Sequence, residues 1–195
     1  PASGKAKQLG EHMASLGRSG DYTCPALPNS PREAIAQVES TLAAHGGPVT
    51  LVGSSLGGFY ATHLAEKHGW KAVLVNPAVH AHLLLRSALG LQKNWHTGET
   101  WELTEAHLAE LAALDVPAIT RPARYLLLAQ TGDEVLDYRD AVAYFTGAAE
   151  KATDTEVREF YQFLADWEKQ HLEALRRLYG GVREDFWEQG GFSPF

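Results

Sequence analysis

Cysteine is almost missing: Cys24 is the only one in 195 residues. A single thiol excludes a disulfide framework and suits a reducing compartment. Positive charge is scarce too. Seventeen Lys and Arg against 24 Asp and Glu leave a net charge of −7, without the basic footprint of a nucleic-acid binder. No apolar run reaches the roughly 18 residues of a membrane span, and no signal peptide is recognisable. The chain opens on Pro1 rather than Met, so the natural N-terminus is expected to lie upstream. These absences point to a cytoplasmic protein that engages neither nucleic acid nor membrane. What remains, 45% hydrophobic and 21% charged, suits one globular domain or a domain with an appendage.

The stretch that organises the chain is Val49–Gly58. A β-branched, apolar run from Val49 to Val52 feeds into Gly53-Ser54-Ser55-Leu56-Gly57, and an amphipathic segment, Phe59–His68, follows at once. Strand, G-x-S-x-G and helix in that order form the setting of a nucleophile elbow. The two glycines flanking Ser55 are expected to leave room for a strained backbone and for close helix packing. Ser55 then stands at the tip of the turn, and the amide of Leu56, at a helix N-terminus, points at a developing oxyanion. The plain alternative is a small-residue turn without chemistry.

Strands and helices alternate around this motif. A helix is expected over residues 3–17 with Gly17 as C-cap, and a short strand over Asp21–Leu27. Ser30-Pro31-Arg32-Glu33 reads as a capping box opening a helix to about Ala44. Lys71–Val75 and Arg124–Gln130 read as further buried strands. The spacing predicts βαβ units and an α/β fold with a parallel sheet flanked by helices. Residues 78–122 interrupt the rhythm: Ala78–Leu89 reads as helix, Gln92–Trp101 as irregular and Thr104–Leu114 as a helix capped by Thr104. Such a helical insertion is a place for a lid or pocket cover. The third strand delivers Asp133 at its carboxyl end, the edge where α/β sheets place their sites. Asp133 is the expected triad acid, with Asp137 as runner-up.

Four stretches together resemble the YqiA-type esterases, small enzymes of the α/β-hydrolase fold, over residues 1–147. They are Gly53–Thr62, Val75-Asn76-Pro77-Ala78, His96-Thr97-Gly98-Glu99 and Gln130–Tyr138. The resemblance implies hydrolysis of short carboxylic esters without a cofactor, Ser55 as nucleophile and Asp133 orienting a histidine. Such esterases open with a strand ending in a His-Gly-Phe motif that helps form the oxyanion hole, and nothing like it precedes Pro1. Their triads run Ser, Asp, His along the chain. After Asp133 the sequence holds one histidine, His171, so the base is His171 or is missing.

From about Ala148 the sequence is amphipathic and helical in pattern. Val157, Phe160, Tyr161, Leu164, Glu168, His171, Leu175 and Leu178 share one face at about 100° per residue. A Glu-x-x-His pair on an apolar stripe is either a hydrogen-bonded pair inside a helix contact or a metal-ligand pair. Ala149–Asp154, Phe163–His171 and the aromatic end, Asp185-Phe186-Trp187 with Gly191–Phe195, resemble the last part of rubrerythrin-type ferritin-like proteins. That resemblance implies iron held by Glu168 and His171, the rest of the site coming from another chain through self-association of the C-terminal helices. Residues 1–147 and 148–195 are thus expected to be a truncated hydrolase core and a ferritin-like tail. A serine esterase acting on a small ester, an iron-binding oligomer and a non-catalytic scaffold are the three competing functions. Trp95, Trp101 and Tyr60 are candidates to line an acyl pocket, as are His80, His82 and His96, with core packing the competing fate.

Overall fold

The structure, a computed structural model, describes residues 3–43, 45–93, 98–129 and 138–150. In chain order it contains α1 (Gly4–Ser15), α2 (Pro31–Ala43), β1 (Thr50–Ser55), α3 (Leu56–His68), β2 (Lys71–Pro77) and α4 (Ala81–Leu84). Then follow β3 (Gly90–Lys93), β4 (Thr100–Leu103), α5 (Glu105–Leu114), β5 (Tyr125–Leu128) and α6 (Tyr138–Glu150). The chain divides into two compact units, Val49–Val79 with Val116–Phe195 and Pro1–Pro48 with His80–Asp115. Among the described residues no helix is long and apolar enough to cross a membrane.

The first unit is α/β, as the alternation predicts. Its sheet is parallel, in the order β1-β2-β5. Strand periodicity of two sends Leu51, Gly53, Ala72, Leu74, Tyr125 and Leu127 to one face. There Ala61 and Ala65 of α3 and Ala141 and Phe145 of α6 complete the core with Ala72, Leu74, Tyr125, Leu127 and Ile119. Among the described residues of this unit, Phe145, Leu64 and Leu74 are the largest side chains wholly removed from water, each contributing about 1.5–3 kcal/mol by burial. The opposite face carries Val52, Leu126 and Leu128 at 54%, 38% and 47% exposure.

Helix α3 is anchored at both ends. Near its C-terminus the Glu66 carboxylate accepts hydrogen bonds from Tyr125 Oη at 2.6 Å, Thr120 Oγ1 at 2.6 Å and Thr120 N at 3.2 Å. Burial first, and then the Glu66 carboxylate, push the Tyr125 phenol far above its ordinary 10.0. A raised phenol pKa contributes stability that is complete below pH 10 and is lost as pH rises beyond it. Glu66→Ala leaves the buried Tyr125 hydroxyl without this acceptor. Urea unfolding at neutral pH is expected to show a loss of about 2–3 kcal/mol.

The second unit is helical with one hairpin. Helix α2 packs on α5, burying Pro31, Ala34 and Ile35 on one side and Leu108 and Leu111 on the other. Glu110 ties the two together: it accepts from Ser30 Oγ at 2.8 Å and from Arg32 N at 3.2 Å. Partial burial opposes ionisation of Glu110. The Arg32 amide, the Ser30 hydroxyl and the charges of Arg32 and His107 outweigh it and hold the carboxyl below its ordinary 4.5. Ser30 Oγ also accepts from Glu33 N at 3.3 Å, the forward half of the expected capping box. Gly17, at φ 69°, follows the last turn of α1, whose carbonyls accept from Gly17 N and Arg18 N.

Three local expectations are corrected. Asp21–Leu27 forms no strand: Pro25 and Pro28 remove ladder donors, and Tyr22 turns back to α1, donating to Ala6 O at 2.8 Å. Ala78–Leu89 is not one helix. His80 adopts φ 51°, and only the single turn α4 and a 3₁₀ turn, Leu85–Ala88, follow. Gln92–Trp101 is not wholly irregular, because β3 and β4 pair antiparallel from Gly90↔Leu103 to Lys93↔Thr100. Strands of four residues carry too short an alternation to stand out in sequence.

Candidate active site

Strand β1 runs three residues further than its apolar stretch and ends on Ser55 itself. Helix α3 begins on the next residue, Leu56. The reversal between them is concentrated in Ser55, at φ 53° and ψ −123°. That is a conformation L-residues rarely adopt, costing about 1–3 kcal/mol, and its side chain is exposed. Ser55 is therefore neither in a continuous helix nor in a buried strand. The amide of Leu56 belongs to the first turn of α3, whose N–H groups lack intrahelical acceptors and gather at the positive end of the helix dipole.

The glycines of the motif differ in what they do. A Cβ on Gly53 would lie 2.2 Å from Gly57 O and 2.5 Å from Gly57 C. Gly57 has nothing within 4 Å of its own Cβ position. Gly58 takes the packing role expected of Gly57: its Cβ would lie 2.7 Å from Pro77 Cβ. The signal in the sequence was the doubled glycine, of which the G-x-S-x-G pattern uses only the first.

Strand β2 supports the turn from the side. Pairing runs Ser54↔Val75 and then Ser55↔Pro77, a register shift that skips Asn76. Ala78 N donates to Ser55 O at 3.1 Å. Strand β5 pairs beyond β2, with Val75 opposite Leu128, so its carboxyl end leaves the sheet on the same edge as Ser55. Asp133 and Asp137 follow that end by sequence and lie outside the described residues, as do His171, Glu168, His96 and Trp95.

Four of the other histidines make local contacts. His68 stacks on Trp70 with ring centroids 4.3 Å apart. His107 completes the Thr104 cap of α5, with Thr104 N donating to its Nδ1 at 3.1 Å, and meets Trp101 edge-on. His80 Nδ1 lies 2.8 Å from Asp115 Oδ2, a pair that sequence reasoning missed, because the partners are 35 residues apart. The His82 ring stands edge-on to that of His80. Tyr60 is buried, its ring 5.9 Å from that of Phe59. Among the described residues no three His, Cys, Asp or Glu side chains are grouped to hold a metal ion.

The family model described as Uncharacterised protein family (UPF0227) matches residues 1–175. The chain belongs to UPF0227. This is the YqiA-like, esterase-related family, in agreement with the four motifs. The UPF0227 match favours the esterase-related reading over the ferritin-like one. It continues past residue 147 through much of the segment that resembles a ferritin-like end, and α6 likewise crosses that position.

Proposed function

We propose that this UPF0227 protein is a serine-dependent hydrolase of short carboxylic esters. The observation that carries the reading is the exposed Ser55 at φ 53°, ψ −123° between a parallel strand and a helix. Strain at one serine in such a turn is the mark of a nucleophile elbow, because a plain connecting turn gains nothing from holding an L-residue there. Ser55 Oγ attacks the ester carbonyl while a base takes its proton. The oxyanion is held by the Leu56 amide and a neighbouring amide. Collapse expels the alcohol, to which the base returns the proton, and leaves an acyl-enzyme. Water then attacks the acyl group with the same base accepting its proton; the base returns that proton to Ser55 Oγ as its bond to the acyl carbon breaks, and the acid is released. Asp133 is the proposed orienting acid and His171 the proposed base. The UPF0227 match supports an esterase-related chemistry, and the shared sheet edge of β1 and β5 supports Asp133.

A fluorophosphonate probe tests this directly. Wild-type protein is expected to acquire one adduct, on Ser55 by peptide mass spectrometry, and Ser55→Ala none. His171→Ala and Asp133→Asn are expected to slow labelling and p-nitrophenyl acetate turnover. Folded wild-type protein that takes no probe, or equal labelling of Ser55→Ala, would sink the proposal.

A further inference from the structure

Asn76 is the second unusual backbone in the sheet unit. It is buried, at 5% exposure, with φ 42°. An L-residue disfavours that region, and a residue before proline is biased towards extended φ instead. Asn tolerates it better than most. The β1–β2 ladder explains why it is there. Ser54 pairs with Val75 and Ser55 with Pro77, so Asn76 is the extra residue of a bulge placed beside the nucleophile turn. Pro77 has no N–H to offer, and the next amide along, Ala78 N, reaches the Ser55 carbonyl at 3.1 Å. The Pro77 ring meanwhile closes on Gly58, where no Cβ would fit. The stretch Asn76-Pro77-Ala78 therefore meets the elbow at two points, Ala78 N at the carbonyl of Ser55 and Pro77 at Gly58.

We infer that the bulge at Asn76 is a positioning element for the nucleophile: its left-handed backbone moves Pro77 and Ala78 into the register that holds Ser55 and the Leu56 amide in their strained geometry. Asn76 acts through Ser55 and does not touch the substrate in this scheme. The inference rests on the nucleophile reading of Ser55. Its chemical content is that the backbone conformation at residue 76, rather than the amide side chain, is what matters. A bulge that relaxed to ordinary φ would bring Asn76 opposite Ser55 and withdraw the Ala78 amide. Displacing a reacting group by about 1 Å costs on the order of 10²-fold in rate.

The test compares Asn76→Gly, which keeps positive φ freely available, with Asn76→Ala and Asn76→Val, which oppose it increasingly. Labelling by the fluorophosphonate probe and p-nitrophenyl acetate kinetics are read on protein shown to be folded by circular dichroism. Asn76→Gly is expected to stay within about threefold of wild type. Asn76→Ala is expected to slow by about tenfold and Asn76→Val by more, with kcat and not KM carrying the loss, since each 1.36 kcal/mol of lost alignment is tenfold. If Asn76→Val does not fold, the Gly and Ala variants alone decide. Asn76→Ala reacting at the wild-type rate overturns the inference, and so does Asn76→Gly slowing as much as Asn76→Ala. Wild type and Ser55→Ala run alongside: labelling of wild type alone with no Asn76 dependence sinks only the bulge. Folded wild type without labelling sinks the nucleophile and the bulge together.

Discussion

Gly53→Ala is expected to cost at least about 3 kcal/mol and to lower the melting temperature by roughly 10 °C or more. The new methyl would lie 2.2 Å from Gly57 O, 2.5 Å from Gly57 C and 2.7 Å from Gly58 N. All three are backbone atoms of the first turn of α3, so no side chain can swing aside. Relief requires α3 to retreat from β1, which withdraws Gly58 from Pro77 and the Leu56 amide from the serine. Stability and fluorophosphonate labelling should therefore fall together. Gly57→Ala is the matched control, because its Cβ enters open space in a helix, where alanine is favoured over glycine by up to about 1 kcal/mol. Thermal melts of the pair decide the matter. A Gly53→Ala protein melting within a degree or two of wild type would show that the turn is looser than described.

The second large effect runs in opposite directions for stability and chemistry. Ser55→Gly and Ser55→Ala should both lose labelling, since neither has a hydroxyl. Only glycine adopts φ 53°, ψ −123° without penalty. Ser55→Gly is thus expected to be more stable than Ser55→Ala by about 1–2 kcal/mol, part of the released strain being offset by the entropy of an unfolded glycine. Urea midpoints of the two variants measure this. Equal midpoints would mean that Ser55 carries no strain, and the main physical argument for its chemistry would be gone.

The parallel strands and the helices after them were legible because each depends on a local pattern: Val49–Val52, Lys71–Val75 and Arg124–Gln130 are apolar runs bounded by turn residues. The elbow was legible for the same reason, since strand, G-x-S-x-G and helix are contiguous. What escaped is non-local. The division of labour between Gly57 and Gly58 depends on Pro77 of the neighbouring strand, and the Asn76 bulge exists only in the pairing of β1 with β2. Tyr22, read as part of a strand, spends its hydroxyl on α1 instead. His80 met Asp115 across 35 residues of hairpin and helix, beyond any spacing rule. Asp133, His171 and Glu168 lie outside the described residues and stand on sequence alone: a strand's carboxyl end, an apolar helical stripe, chain order and resemblance.

Helix α3, about 20 Å long at 1.5 Å per residue, is gripped at its start by Pro77 and near its finish by Tyr125 and Thr120. A rod clamped at both extremities neither slides nor pivots. The backbone of Ser55 at its head is thus held from both sides of the turn, by α3 and by Ala78 N just after β2. Under the proposed esterase chemistry, an ester comes to Ser55 with its carbonyl already aligned, and discrimination among esters falls to the walls around the serine rather than to the serine itself.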